Sequence, residues 1–348
     1  MWRALHALER DPDLRSTRAA HERGESRWLT SAKLKLVDGC NLRCFMCDYW
    51  KRDRAGELST AEVLAILDDL AALGCQKVHY TGGELFLRKD AVQLVAAAAE
   101  RGMRTNLTTN GTALDKPRLK DLLRVPVRSV TLSLDSPVNH VHDRIRGRQG
   151  AWKRTVRTLD KLLERRGPKT RIRINTVVSR RNVRTLVQMV PFLRERPIDG
   201  WLLIPVDGPE AMTADDILFY NARIAPVLAE ATGVPDFDPW VYGRTETDIA
   251  LGAQQHYARG YYARHRCHIP WFHTLIGPTG DVYPCCQTHR RMPPLGNVRQ
   301  TPLRDIFASD AYRDLRVRML THRLPHCAEC DDFTAENRAI NALLDGVP

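Results

Sequence analysis

Seven of the nine cysteines in this 348-residue chain fall into two spaced sets. Cys40-Asn-Leu-Arg-Cys44-Phe-Met-Cys47 places three thiols within eight residues, and Cys267, Cys285, Cys327 and Cys330 form a second set that ends in a CxxC. Three thiolates on one short loop can ligate three irons of a 4Fe-4S cube and leave the fourth iron open. A molecule offering an amine and a carboxylate could chelate that iron and receive an electron through it. Four thiolates complete a cube, so the second set would hold a cluster with no open iron, suited to passing electrons. Zinc competes in both places: Asp48 or His79 could complete a site beside the triad, and a four-cysteine ribbon would suit the second set. Cys75 and Cys286 belong to neither. Cys75 is expected to pack in the core. Cys286 adjoins Cys285 and reads as a small buried residue, an alternative ligand to Cys285, or a free thiol able to give up hydrogen.

The triad needs a fold that presents its loop at the end of a strand. Short apolar or alternating runs, each followed by a helical pattern, begin at Ala32 and point to βα units and a parallel sheet. The expected strands are Ala32 to Val37, Lys77 to Tyr80, Arg104 to Thr108, Ser129 to Leu134, Arg171 to Val178 and Gly200 to Ile204. Helices are expected over Ser59 to Leu73, Asp90 to Arg101, Leu114 to Leu123, Trp152 to Arg165 and Val183 to Arg194. Ser59-Thr60-Ala61-Glu62 is a start signal for the first, and Gly74 a stop. After Pro205 the alternation is lost. Residues 1–31 read as a charged helical extension, 32–206 as the α/β unit, and 207–266 as a connecting region with one helical stretch near Ala214 to Glu230. A small α+β unit is expected over 267–335, with a hairpin of Trp271 to Ile276 and Asp281 to Tyr283, and a closing helix over 336–348.

Composition narrows the class. Hydrophobic residues at 43% and charged residues at 27% are ordinary for a globular protein. No apolar run approaches the roughly 20 residues of a membrane helix, and no targeting segment is visible. The net charge is +12, but its arginines are scattered without a basic stripe interleaved with aromatics, which argues against nucleic acid. Odd, clustered cysteines speak against a secreted disulfide framework and for a reducing, cytoplasmic setting.

The CxxxCxxC after the first strand resembles the defining motif of the radical S-adenosylmethionine (SAM) superfamily. The resemblance continues in Thr81-Gly82-Gly83-Glu84 after the second strand, similar to the family's GGE element. Thr109-Asn110-Gly111-Thr112, Leu132-Ser133-Leu134-Asp135 and His142 to Gly147 follow in family order. It implies a partial (β/α)6 TIM barrel that binds SAM at a 4Fe-4S cluster on Cys40, Cys44 and Cys47. Gly82, Gly83 and Glu84 would then hold the methionine amino group, Ser133 and Arg146 its carboxylate, and Asn175 the nucleoside, with Asn110 and Asp135 alongside. Met46 stands where the family usually has an aromatic residue; its backbone contact to adenine does not need a ring. Cys267, twelve residues, Gly280, four residues, Cys285 and the final CxxC resemble the twitch form of the SPASM auxiliary domain, implying a second 4Fe-4S cluster.

Strand parity puts Lys77, His79 and Thr81, Ser129, Thr131, Ser133 and Asp135, and Arg171, Arg173 and Asn175 on inward faces. So many polar inward positions imply a wet cavity for a hydroxyl-rich substrate. The resulting expectation is a dehydrogenase that oxidises a hydroxyl-bearing carbon of a sugar, aminocyclitol or aminoglycoside to a ketone. The auxiliary cluster would accept the remaining electron, His79 or Arg173 the proton, and a flavodoxin or ferredoxin would supply the starting electron. Two alternatives stand beside it: an epimerase with Cys286 as hydrogen donor, and a peptide-modifying enzyme. Against the latter, the segment before Ala32 looks too short for a precursor-binding domain.

Overall fold

The computed structural model describes residues 3–346 apart from 232, 236, 322–323, 328–329 and 331–332. The outermost ends of the expected N-terminal extension and C-terminal helix lie outside the described residues, as do the two residues between Cys327 and Cys330.

Six parallel strands form where the alternation predicts them: β1 Ser31–Lys35, β2 Lys77–Thr81, β3 Arg104–Thr109, β4 Ser129–Ser133, β5 Arg171–Val178 and β6 Gly200–Pro205. Their outward faces carry Leu34, Val78, Tyr80, Leu107, Val130, Leu132, Ile172 and Ile174, all fully buried. Helices Thr60–Ala72, Ala91–Glu100 and Ala151–Arg165 cover them, and the Tyr80 hydroxyl donates to the Leu94 carbonyl across that interface. The first helix starts on the expected capping box, Ser59 and Glu62 satisfying each other's backbone N–H. The helix Asn139–Arg146 was not foreseen; it ends on Gly147 in the left-handed conformation.

The C-terminal unit departs from the expected separate hairpin. Pro270 favours a helical first turn, so Ile269–Phe272 coils and the strand begins at His273. That strand, β7 His273–Ile276, pairs in parallel with β1, Ser31 opposite His273. The strands β8 Asp281–Tyr283 and β9 Gly296–Asn297 then continue antiparallel. One nine-stranded sheet results, in the order β6-β5-β4-β3-β2-β1-β7-β8-β9, so the auxiliary unit is an extension of the barrel wall. The N-terminal extension folds as helices Arg3–Glu9 and Leu14–Glu22. Ala4 and Leu8 share a core with Trp271, Phe272, Leu315, Ile340 and Leu344, tying the extension to the auxiliary unit. The connecting region is less loose than expected: Tyr220, Tyr242 and Tyr257 join the main core with edge-on ring contacts. Among the described residues no helix is long and apolar enough to cross a membrane.

Candidate active site

The triad loop leaves β1 and is fastened on both sides by backbone hydrogen bonds. On one side Gly83 N–H donates to Val37 O at 2.7 Å and Glu84 N–H to Gly39 O at 2.9 Å. On the other, Arg43 N–H donates to Arg146 O and Phe45 N–H to Ile145 O. Such close approach requires glycine. A Cβ on Gly83 would lie 1.9 Å from Gly39 O, one on Gly147 2.2 Å from Arg43 O, and Gly82 adopts a φ of +143°. Glu84 is buried, and its carboxylate accepts from Thr109 Oγ1, Asn110 N–H and Phe86 N–H. Burial raises its pKa, opposed by those three donors.

Of the three thiols, Cys44 is buried, Cys40 half-buried and Cys47 exposed. Burial pushes Cys40 up to about 11 and also raises Cys44, against the pull of Arg146. Asn110 Nδ2 lies 3.7 Å from Cys40 Sγ, and Arg146 Nη1 3.8 Å from Cys44 Sγ. Amide and guanidinium donors aimed at sulfur suit thiolates that carry an iron cluster.

The expected SAM residues lie around this loop, with one correction. Ser133 and Asn175 lie side by side in register across β4 and β5 on the inward face, and Met46 packs against the triad with Leu42, Cys44 and Ala151. Asp135, however, is fully buried and accepts two hydrogen bonds from Arg146, at 2.6 and 2.8 Å, plus one from Val177 N–H. Asp135 therefore anchors Arg146 rather than reaching a ligand. The guanidinium of Arg146 donates to Asp135 and reaches Cys44 Sγ through Nη1. The other inward expectations hold in position. His79 Nε2 lies 2.9 Å from Thr108 Oγ1, but burial, with Lys33 and Lys77 beside it, drives its pKa to about 3. A ring so weakly basic is a poor proton acceptor near neutrality. Arg173 shares the inward face and lies against Gly200 of β6.

Cys267, Cys285, Cys327 and Cys330 line one cavity, whose other walls include Tyr262, Ile269, Pro270, Met319, Leu324 and Phe333. Burial raises Cys267 and pushes Cys285 up to about 12. Among the described residues no three His, Cys, Asp or Glu side chains gather as around a single metal ion. An apolar chamber ringed by four thiols is a fitting seat for a 4Fe-4S cube. Cys286 also lines this chamber, yet its Sγ lies 2.6 Å from Lys33 Nζ on the barrel side. It thus forms part of the partition between the chamber and the barrel interior. Cys75 is packed core, as expected; burial lifts it to about 12.

Sequence reasoning missed Lys33, Lys35, His273 and His289. The period-two pattern of Ser31-Ala32-Lys33-Leu34-Lys35 was the available signal, and it places both lysines opposite the apolar face. His289 arrives from the loop after β8, and no local pattern announces it; its Nδ1 lies 3.1 Å from Lys35 Nζ.

Comparison with known proteins agrees with this geometry. Residues 34–191 match the model of the Radical SAM superfamily, and 267–331 that of SPASM, an iron-sulfur cluster-binding domain. The chain belongs to the radical SAM superfamily and carries a C-terminal auxiliary-cluster domain of the SPASM/twitch type. Its cofactors are S-adenosylmethionine and two 4Fe-4S clusters. It is 28% identical over 300 residues to an AdoMet-dependent heme synthase of Methanosarcina barkeri, covering 81% of this chain and 83% of that protein. A PqqA peptide cyclase of Granulibacter bethesdensis is 28% identical over 322 residues, covering 85% and 78%. In fold it is similar to Streptococcus suis SuiB, solved bound to precursor peptide SuiA, with TM-score 0.68, 17% identity, and 92% and 75% coverage.

Proposed function

We propose that this radical SAM enzyme oxidatively modifies a peptide side chain, with the auxiliary cluster as electron acceptor. The observation that carries the oxidative part is the placement of Cys286, which lines the auxiliary chamber and touches Lys33 inside the barrel. Cys286 thus stands between the auxiliary chamber and the inward face of β1. When bound at the triad cluster, SAM would supply the radical that takes one hydrogen atom; the auxiliary cluster would take the remaining electron and solvent the proton, and a low-potential donor such as a flavodoxin or ferredoxin would supply the electron that starts the reaction.

The peptide part is supported by the similarity to PqqA peptide cyclases and by the fold shared with peptide-bound SuiB. The sheet also ends at β6, whose inward Leu202 is 55% exposed. That edge leaves room for an extended chain to enter. A sugar or aminocyclitol has less support: the inward positions are strongly cationic, and none of the relatives named above acts on one. The similarity to heme synthases favours a tetrapyrrole as the second reading.

The test is anaerobic incubation of reconstituted enzyme with SAM, reductant and three panels: candidate precursor peptides, Fe-coproporphyrin III, and aminocyclitols. The expected result is 5′-deoxyadenosine formation stimulated by a peptide that loses a pair of hydrogens. Stimulation by Fe-coproporphyrin III or an aminocyclitol, with every peptide inert, would overturn the peptide reading.

A further inference from the structure

Positive charge that is scattered in the sequence gathers at one place in the fold. Helices Lys116–Leu122 and Ala151–Arg165 carry eight lysines and arginines against three carboxylates, and with the loop after β3 they wall a groove. Lys116, Arg154, Arg157 and Lys161 line it, the first three of them exposed. Asp115 is the one carboxylate on its walls, and Arg118 takes both of its oxygens, through backbone N–H at 3.0 Å and Nε at 2.9 Å. The carboxylates on the two helices also have cationic neighbours: Asp121 meets Arg124, Asp160 meets Arg196, and Glu164 lies near Lys161 and Arg165. The groove is left with a surplus of cations reaching into water, where charge steers association.

This groove is fastened to the triad loop. Ala151, the first residue of the longer helix, packs with Leu42 and Cys44. Further along, Thr155 Oγ1 donates to Asn110 O and Thr158 Oγ1 to Gly111 O, both at 2.7 Å, which ties the helix to the loop after β3. That loop reaches the first cysteine through a closed set of hydrogen bonds. Thr112, on the groove wall, accepts from Asn41 Nδ2 at 2.8 Å and donates to Asn110 Oδ1 at 2.7 Å. Asn110 Nδ2 donates to Asn41 Oδ1 at 2.9 Å and lies 3.7 Å from Cys40 Sγ. Two side chains, Thr112 and Asn110, thus link the groove to a cluster thiol. Arg148, also exposed, donates to Asn41 O at 2.7 Å and carries the positive surface onto the triad loop.

We propose that this groove docks the acidic electron-transfer protein, a flavodoxin or ferredoxin, that reduces the triad cluster. One electron would leave the carrier, which is oxidised by one, and enter the cluster, which is reduced by one; no bond is made or broken. Charges on long exposed stems suit the small, transient interfaces of electron carriers better than a cage for a small anion. The helices that wall the groove lie outside the sheet, so a docked carrier leaves the barrel interior to SAM and substrate. Electron entry here is independent of which substrate the barrel accepts, peptide or otherwise.

The test uses reconstituted holoenzyme and reads binding of oxidised flavodoxin and oxidised ferredoxin at low and at physiological salt. Arg154→Glu with Arg157→Glu should weaken carrier binding about tenfold at low salt, the scale of two exposed ion pairs turned repulsive. That difference should shrink as salt screens it. Arg104→Glu with Lys169→Glu makes the same change of charge in a cationic cleft at the other end of the strands, and should bind as wild type does. Dithionite should reduce the triad cluster equally in all three proteins, followed by electron paramagnetic resonance, while reduction by flavodoxin hydroquinone should slow in the first variant alone. Without any variant, carbodiimide cross-linking of wild-type holoenzyme should join carrier carboxylates to Lys116 or Lys161, located by mass spectrometry. Equal loss of binding in both double variants reduces the effect to net charge and overturns the site. Cross-links that avoid Lys116 and Lys161, or wild-type holoenzyme that binds neither carrier, overturn it as well. Inorganic phosphate or single-stranded DNA held more tightly than either carrier, and lost in the Arg154 and Arg157 variant, overturns the carrier as occupant.

Discussion

Gly83→Ala should empty the triad of iron while leaving the auxiliary chamber loaded. Its Cβ would lie 1.9 Å from Gly39 O, 2.6 Å from Gly39 C and 3.3 Å from Cys40 N, all backbone atoms that no rotamer change can clear. Cβ contacts essentially never fall under 3.0 Å, so the loop must retreat by about 1 Å. That retreat breaks the hydrogen bonds from Gly83 to Val37 and from Glu84 to Gly39. Overpacking and the lost bonds together cost about 2–4 kcal/mol. The displacement falls at the first cysteine, where cluster geometry is least forgiving. Anaerobic reconstitution followed by iron and sulfide analysis should give about eight irons per chain for wild type and about four for the variant. SAM cleavage should be lost with them. Gly102→Ala is the control: its φ of +79° also disfavours a side chain, but nothing lies within 4 Å of its Cβ. It should lose about 1 kcal/mol of stability and keep both clusters. If Gly83→Ala held about eight irons and cleaved SAM as wild type does, the claim that the GGE segment clamps the triad would fail.

Asp135→Asn strips the countercharge from buried Arg146, and should destabilise the chain by about 3–5 kcal/mol in urea unfolding. Cys285→Ala should retain about four irons per chain, whereas Cys286→Ala should retain about eight, because the Cys286 thiol faces Lys33; equal iron in both would make Cys286 a ligand. Arg299→Ala removes hydrogen bonds to Glu62, Gly56 and Glu57 that link the strand β9 loop to the barrel. The ion pair is half in solvent, so a loss of only about 1 kcal/mol is expected, seen as a lower Tm. Glu62 is depressed to about 2, first by its hydrogen bond with Arg299. Its contribution is therefore present above its ordinary 4.5 and fades as pH falls toward 2, so the Tm difference between wild type and variant should shrink over that interval.

The six barrel strands were legible because period-two alternation and local turn signals act over five to eight residues, and each apolar face had one place to go. The same local logic located the Ser59 capping box and the Gly74 stop. What escaped was long-range. Nothing near His273 shows that it will pair with Ser31, 242 residues away, so the auxiliary unit read as a separate hairpin. The N-terminal helices were opaque for the same reason: Ala4 and Leu8 find their core on the C-terminal helix.

The site followed a similar division. The two cysteine sets stood out in the sequence, the triad by its spacing on one loop, and the fold brings Cys267, Cys285, Cys327 and Cys330 to one cavity. The role of Asp135 was not legible: it stands in family order, but only the fold brings the Arg146 guanidinium onto its carboxylate. The cavity is the most instructive case. Parity alone correctly placed Lys77, His79, Arg173 and Asn175 inward, and polarity was then taken to mean hydroxyl groups. Charge sign decides differently. A polyol cavity needs donors and acceptors in balance, whereas Lys33 and Lys35 add cations where no inward strand position offers a carboxylate. Low-dielectric surroundings magnify that imbalance. Burial first, and then the adjacent lysines, lowers His79 and His289 to about 3. Inward polarity therefore does not by itself mark a hydroxyl-rich substrate.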